Sequence, residues 1–403
     1  NMNLAWGLSL AQITQVQIPT RTPILLKGLG GLRYLKSDIC TTILKGEDTF
    51  SKDNLYGRHN VTSIPVLITP KISLGVHLKE NPEFLGREIM VHLLGKTLFG
   101  DVTPQVAFLK FTKKKTSLLG WVESETGYPV LATQTVPGNL TLQDILDEPQ
   151  ELAKIEPVSF AQVLLLTFLI NPEDGRGDNY MLTPVFINGQ HRYRLVPIDN
   201  DRAFVRPLDL NANGSSISGP KGLNVKTVLY CLNQMSLPLD FSVVQAFLVH
   251  EPYECLTNWL KAISIEQENI NALFSKKEHE ALQSAKINLQ MVFRSSVVTD
   301  IYEKFICLQY ALRDNPTISG MNLLCTAMPA LGYRYQKAFN QFKVPQERFD
   351  DLTEGRFEKV VIQKTISDFF GQKKLKKITS TKSDYNKILD ITGASIEQKS
   401  IKE

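Results

Sequence analysis

NPEDGRGDNYML at residues 171–182 and RLVPIDNDRAF at 194–204 decide how this chain is read. Each polar cluster follows directly on an apolar element. FAQVLLLTFLI (160–170) is apolar all round, as a helix buried in a core must be. Leu195 to Ile198 reads as the end of a strand, in the second arm of a hairpin spanning Met181 to Pro197 with Asn188-Gly189 at its turn. A core element therefore aims each cluster. Asp174 opens the first and Asn179 stands five positions on; Asp199 opens the second, with Asp201 two residues later. Carboxylates and a carboxamide are hard oxygen donors of the kind that magnesium or manganese takes. Asn179, Asp199 and Asp201 are the candidate metal ligands. A carboxylate beside such an ion can orient a hydroxyl and receive its proton, and Asp174 is the candidate for that work. Asp178 is a further acid nearby. A surface loop followed by an ordinary hairpin would carry the same spacing, so the upstream residues have to decide.

Upstream, the chain is strand-prone from Leu32 to Phe111. Val66–Thr69 and Ser73–Lys79 read as strands. Glu83–Leu98 reads as a helix, with Phe84, Leu85, Ile89, Leu93 and Leu94 on one apolar face. Val106–Thr112, Ser117–Val122 and Tyr128–Gln134 are the next strands, with basic Lys113–Lys115 placed in a turn between the first two. Lys79 ends a strand and Glu88 sits within the helix that follows; Glu83 is the competing helix acid. A lysine that grips phosphates, held by a helix glutamate, is the other half of a phosphoryl-transfer site. From Thr141 onward helices dominate: Leu142–Leu146, Phe160–Ile170, Val225–Asn233, Phe241–Leu248, Tyr253–Ser264, Ile265–Leu273, Lys277–Ser296 and Val298–Ala311. The partition is an N-terminal extension at 1–31, a strand-rich lobe at 32–135, a helical lobe at 136–345, and a C-terminal extension at 346–403 ending in a lysine- and serine-rich tail.

Strand Lys79, helix Glu88, DGRGDN and IDND together resemble the protein-kinase-like superfamily, nearest to its atypical branch, the phosphoinositide 3-/4-kinases and the actin-fragmin kinase catalytic domain. In the phosphoinositide kinases the catalytic loop reads Gly-Asp-Arg-His-Asn-x-Asn. Asp174-Gly-Arg-Gly-Asp-Asn179 preserves its first and last members. The Asp-Phe-Gly of those families appears here as Asp199-Asn-Asp201. With neither His-Arg-Asp nor Asp-Phe-Gly, the chain departs from conventional eukaryotic protein kinases. The resemblance extends over about residues 32 to 260. It implies an α+β, two-lobed protein-kinase-like fold and an enzyme that uses ATP with Mg²⁺ or Mn²⁺. Asp174 would be its base, Lys79 its phosphate grip and Glu88 the holder of Lys79. A linker from Leu131 to Gly138, with Leu131, Thr133 and Gln134, would meet the nucleotide. The acceptor stays open between a protein Ser/Thr hydroxyl, as in the actin-fragmin branch, and a phosphoinositide. Arg202, Arg206, Lys221 and Lys226 would meet a lipid headgroup. A kinase-fold binding module without transfer, and transfer of another group such as AMP, are further alternatives. The phosphate cover is either Lys27-Gly-Leu-Gly-Gly31 or the 51–65 loop.

Composition sets the outer bounds. At 403 residues, 43% hydrophobic and 21% charged, the chain has the profile of a globular protein rather than a disordered one. A net charge of +4 suits anionic ligands but gives no reason to expect direct nucleic-acid binding. Cys40, Cys231, Cys255, Cys307 and Cys325 show no metal-ligand spacing and read as reduced thiols. No apolar run reaches the roughly 18 residues of a membrane span, and the first residues do not read as a signal peptide. The expected location is cytoplasmic, in a host cytosol if the chain is a bacterial effector. Gln363, Ile366, Phe369 and Phe370 match a sliding-clamp (PCNA-type) peptide pattern; a helix docked on the protein's own helical lobe is the competing reading.

Overall fold

Four long strands dominate the first part of the chain: β1 (Val61–Thr69), β2 (Ile72–Glu80), β3 (Val106–Thr116) and β4 (Val122–Gln134). In the computed structural model the described residues are 17–18, 24–25, 34–35, 61–69, 72–80, 84, 86–116, 122–209, 222–285, 287, 289–291 and 295–342. Lys27–Gly31, residues 51–60, Glu83, Lys221 and the Gln363–Phe370 motif lie outside them. The architecture is α+β, strand-rich first and helix-rich after, the order expected of a kinase-like fold. By contacts the chain divides into two units, 1–136 with 257–292, and 137–256 with 293–403.

In the first unit the sheet runs β1-β2-β4-β3, flanked by two-residue strands at 17–18, 24–25 and 34–35. β1, β2, β4 and β3 pair antiparallel in sequence. The lysines Lys113–Lys115 are not a turn. They continue β3 and pair with Thr126, Glu125 and Ser124 of β4; the strand expected at 128–134 begins at Val122, and 117–121 lie outside the described residues. Continued cross-strand pairing outweighs a run of like charge here. Helix α1 (Arg87–Phe99) enters from Gly86, whose φ of 92° only glycine takes readily. It is buried on nearly every side, with Glu88, Ile89, Met90, Val91, His92 and Leu94 all covered, where the sequence pattern suggested a single apolar stripe.

After α2 (Leu142–Ile145) and α3 (Pro149–Leu152), the second unit builds around α4 (Pro157–Ile170). Eleven of its side chains are buried, as expected of a helix apolar all round. On it pack the hairpin β5 (Tyr180–Ile187) and β6 (Gln190–Pro197) and the helix α5 (Phe241–Leu248). Asn188 and Gly189 take φ of 50° and 77°, the positive values a two-residue hairpin turn needs. The 225–233 segment forms a 3₁₀ turn at Val228–Cys231, followed by a second at Asn233–Ser236, instead of an α-helix.

The expected helices at 253–264 and 265–273 are one, α6 (Pro252–Leu273), because no Gly or Pro interrupts them. The segment Thr257–Val292, placed by the sequence within a continuous helical lobe, groups instead with the sheet unit. Trp259 is fully buried there and donates from Nε1 to Met90 O of α1 at 2.8 Å. Helix α7 (Lys276–Ser284) starts at a Ser275/Glu278 capping box and ends at Ala285, short of the expected Ser296. Its Glu278 pairs at 2.7 Å with Lys110 of β3, which is only 5% exposed. The chain continues through α8 (Ser295–Asp314), α9 (Gly320–Ala327) and α10 (Pro329–Phe342). Among the described residues no helix is long and apolar enough to cross a membrane.

His92 sets an acid limit on this unit. Its Nδ1 lies 2.9 Å from Thr103 Oγ1, and burial, with a smaller contribution from Lys96, lowers its pKa from 6.5 to about 4. The unfolded chain therefore binds a proton that the folded chain refuses between those values. The stability this represents is complete above about pH 6.5 and is lost as pH falls towards 4, amounting to about 3 kcal/mol. Denaturant titrations of the native protein and of His92→Gln across that window should show the variant's acid slope reduced.

Candidate active site

The end of α4 starts the site. Asn171 closes the helix with φ 46°, and its N–H donates to Thr167 O. The chain then crosses Pro172 and Glu173 to Asp174. Asn179 Nδ2 donates to the Asp174 carbonyl at 2.6 Å, folding the DGRGDN segment back on itself. Asn179 is buried, and its N–H donates to Arg176 O. Two glycines permit the close packing around this loop. A Cβ on Gly175 would stand 2.5 Å from Thr227 Cβ and 2.8 Å from Lys226 O; one on Gly177 would stand 2.9 Å from the Gln143 backbone. Gly175 N donates to Lys226 O and Val228 N donates to Gly175 O, so the 226–228 segment grips the loop through the backbone.

Asp199 arrives from the other side of the hairpin. Ile198 N donates to Asn179 O at 2.8 Å, which registers the end of β6 against the loop. Asp199 takes φ 55°, ψ 55°. A left-handed conformation at a non-glycine residue costs on the order of 1 kcal/mol and is more readily tolerated by Asp than by bulkier residues. Asp174, Asn179 and Asp199 line one shallow depression with Tyr180, Arg202 and Ala203. Asp201, buried on the 3₁₀ turn Asn200–Arg202, is not among the residues lining it.

Charge explains how Asp174 is tuned. Burial raises its pKa above 3.8; the Arg176 guanidinium opposes this, while the negative charges of Asp199 and Asp178 add to it and Arg202 again opposes. Arg176 Nε lies 2.8 Å from Asp174 Oδ1 and 3.6 Å from Asp178 Oδ1. Arg176 stands inside the DGRGDN motif, yet the sequence reading gave it no role. The grip of Lys226–Val228 on Gly175 had no sequence signal, because it joins segments about 50 residues apart. Of the basic residues expected to meet an acceptor, Arg202 is engaged with Glu173 at 3.8 Å and Arg206 is exposed.

In the first unit, Lys79 on β2 and Glu88 in the first turn of α1 are both buried. Lys79 stands opposite Val61 on β1 and Leu131 on β4. Leu131, Thr133 and Gln134 are ladder residues of β4, each with partners on both β2 and β3 or at their ends. They do not form an extended linker, because the backbone groups such a linker would offer are taken up by the sheet; the chain leaves the sheet only after Gln134.

The donor set fits a magnesium-type ion. With its amide nitrogen given to the Asp174 carbonyl, Asn179 keeps its side-chain oxygen for a ligand, and Asp199 supplies a carboxylate. Magnesium commonly takes one or two protein carboxylates and completes its shell with water and substrate phosphates. Among the described residues no three His, Cys, Asp or Glu side chains form a cage that would hold a metal alone.

No protein-family model matches the chain, and no curated protein matches it. Among solved structures, the MAP kinase LmaMPK10 from Leishmania major is similar at 11% identity, over 88% of this chain and 97% of that one, with a TM-score of 0.27. A likeness at that score carries no argument, and the fold rests on the elements described above.

Gly175→Ala tests the packing of the loop. The added methyl group must displace Thr227 or the Lys226 carbonyl, and overpacking of this kind costs about 1–3 kcal/mol. Equilibrium denaturation should show that loss.

Proposed function

We propose that this chain is an ATP- and divalent-metal-dependent phosphotransferase of the atypical kinase type, acting on protein Ser/Thr hydroxyls. The observation that carries the reading is the meeting of Asp174, Asn179 and Asp199 on one depression, from two segments each aimed by a core element. Asn179 and Asp199 would hold the metal, which when bound with ATP neutralises phosphate charge. Asp174 orients the acceptor hydroxyl and takes its proton, and Arg176 keeps that carboxyl ionised against burial and its acidic neighbours. Lys79 and Glu88 take the roles of phosphate grip and its holder. Engagement of Arg202 with Glu173 favours a protein acceptor over a phosphoinositide headgroup, since that cation is already partnered.

Labelled ATP with Mg²⁺, offered with an actin-type protein or with phosphoinositide vesicles, tests the reading. Transfer to protein is expected. Asp199→Ala should abolish metal-dependent nucleotide binding in a thermal-shift assay, whereas Asp174→Ala should keep binding and lose turnover. Full transfer by Asp174→Ala would remove its assigned role. Absence of Mg²⁺-dependent nucleotide binding by the native chain would leave the binding-module alternative.

The pH profile checks the same carboxylate. Because the pKa of Asp174 is raised, its ionised form disappears as pH falls through a value above the ordinary 3.8, and kcat should fall with it. Arg176→Gln removes an influence that lowers this pKa, so the acid limb should move to higher pH.

A further inference from the structure

The last four carbonyls of an α-helix have no partner within the helix, and in α4 these are Thr167, Phe168, Leu169 and Ile170. Asn171 N serves the first and Phe204 N the last. The two between are served by one side chain from α8. Lys304 Nζ donates to Phe168 O at 2.7 Å and to Leu169 O at 2.9 Å. Lys304 is only 4% exposed. Its Nζ also pairs with Asp300 Oδ2 at 3.0 Å, and the same carboxylate oxygen accepts from Asn171 Nδ2 at 3.2 Å. The amine, the carboxylate and the carboxamide thus join α8 to the residue from which the DGRGDN loop departs.

A lysine buried only to fill space is a costly choice, since its charge must leave water. Here the cation lies at the helix end where backbone partial charge is negative, which offsets part of that cost. We infer that Lys304 is a positioning residue: its ammonium, with Asp300, fixes the end of α4 and thereby the placement of Asp174 and Asn179. The inference rests on the reading of the Asp174 loop as the site of transfer.

Two properties separate positioning from mere support. The first is local. The loop amides Glu173 N, Gly175 N and Asn179 N are all hydrogen-bonded, so their exchange with solvent reports loop order. The second is pH. Burial lowers the pKa of Lys304 from 10.5 to about 8, against the opposing effect of Asp300. Asp300 is the charged group acting on it among the described residues; α4 brings carbonyls and Asn171 an amide, and α5 and α9 meet α8 elsewhere, at Gln309 and Cys307. Above about pH 8 the folded chain loses a proton that the unfolded chain keeps until about 10.5. This group alone therefore makes global stability rise with pH over that window, while the charged cap on α4 weakens.

Hydrogen exchange at residues 171–179, corrected for the intrinsic pH dependence of exchange, is the deciding experiment. Lys304→Met should speed exchange there by about tenfold or more relative to the rest of the second unit. In the native chain, protection of the loop should fall between pH 7 and 9, and kcat should fall in parallel with little change in KM for ATP. Asp300→Asn keeps an acceptor for Asn171 at a half-exposed position and removes the charge that raises the lysine pKa, so both falls should move to lower pH. This variant decides the question if Lys304→Met does not fold. Uniform loss of protection across the unit, or a pH dependence of loop exchange in Asp300→Asn identical to that of the native chain, would overturn the inference. If the native chain transfers no phosphate, the functional reading fails, and the exchange measurements still decide the role of Lys304.

Discussion

The C-terminus of α4 is the constraint on which the second unit depends. Its four open carbonyls are closed by Asn171, by Lys304 and by Phe204, which come from three separate stretches of chain. Leaving such groups buried without partners would cost about 1–3 kcal/mol each, so the stretches are held there by necessity. Phe204 follows Asp199 by five residues, and its amide bond to Ile170 brings the turn after β6 back to the helix from which the Asp174 loop departs. The same requirement for hydrogen bonds that terminates the helix thereby registers the two acidic segments against each other.

That registration has a cost, visible in the backbone. Asn171, Asp199 and Phe204 all take positive φ. Each flanks the depression, and none is glycine. Asn and Asp visit this region more readily than other side chains, while Phe does so at greater expense. Strain collected at three points around one small site is compensated elsewhere in the packing of the unit, whose helix α4 buries Leu164, Leu165 and Phe168 fully. A pliable loop would avoid the strain but would not hold Asp174 near Asp199 against their mutual repulsion.

The parts of this arrangement that were legible in the sequence are the local ones. The apolar run Phe160–Ile170 and the Asn188-Gly189 turn each depend on residues a few positions apart, and each stands as expected. The misreadings concern residues whose environment is set from far along the chain. Lys113–Lys115 look like a turn until Glu125 and its neighbours supply the opposing strand. The linker expected over Leu131 to Gly138 overlaps the strand expected at 128–134, and the pairing of β4 with β2 and β3 decides for the strand as far as Gln134. Lys304 and Lys110 are buried because of carbonyls or carboxylates more than a hundred positions away.

Lys110 and Lys304 also show two different uses of a buried cation. Lys110 meets Glu278 directly, a carboxylate that also caps the start of α7, so removing either partner would strand a charge and free a helix end together. That pair fastens the Thr257–Val292 segment to the sheet and explains why a helical stretch from the second half of the sequence belongs to the first unit. Lys304 meets backbone carbonyls at 2.7 and 2.9 Å and the Asp300 carboxylate at 3.0 Å, and burial lowers its pKa against the opposing effect of Asp300. A direct ion pair is suited to holding a fold together. Lys304, with burial lowering its pKa to about 8, sits closer to its own deprotonation, at the end of the helix from which the Asp174 loop departs.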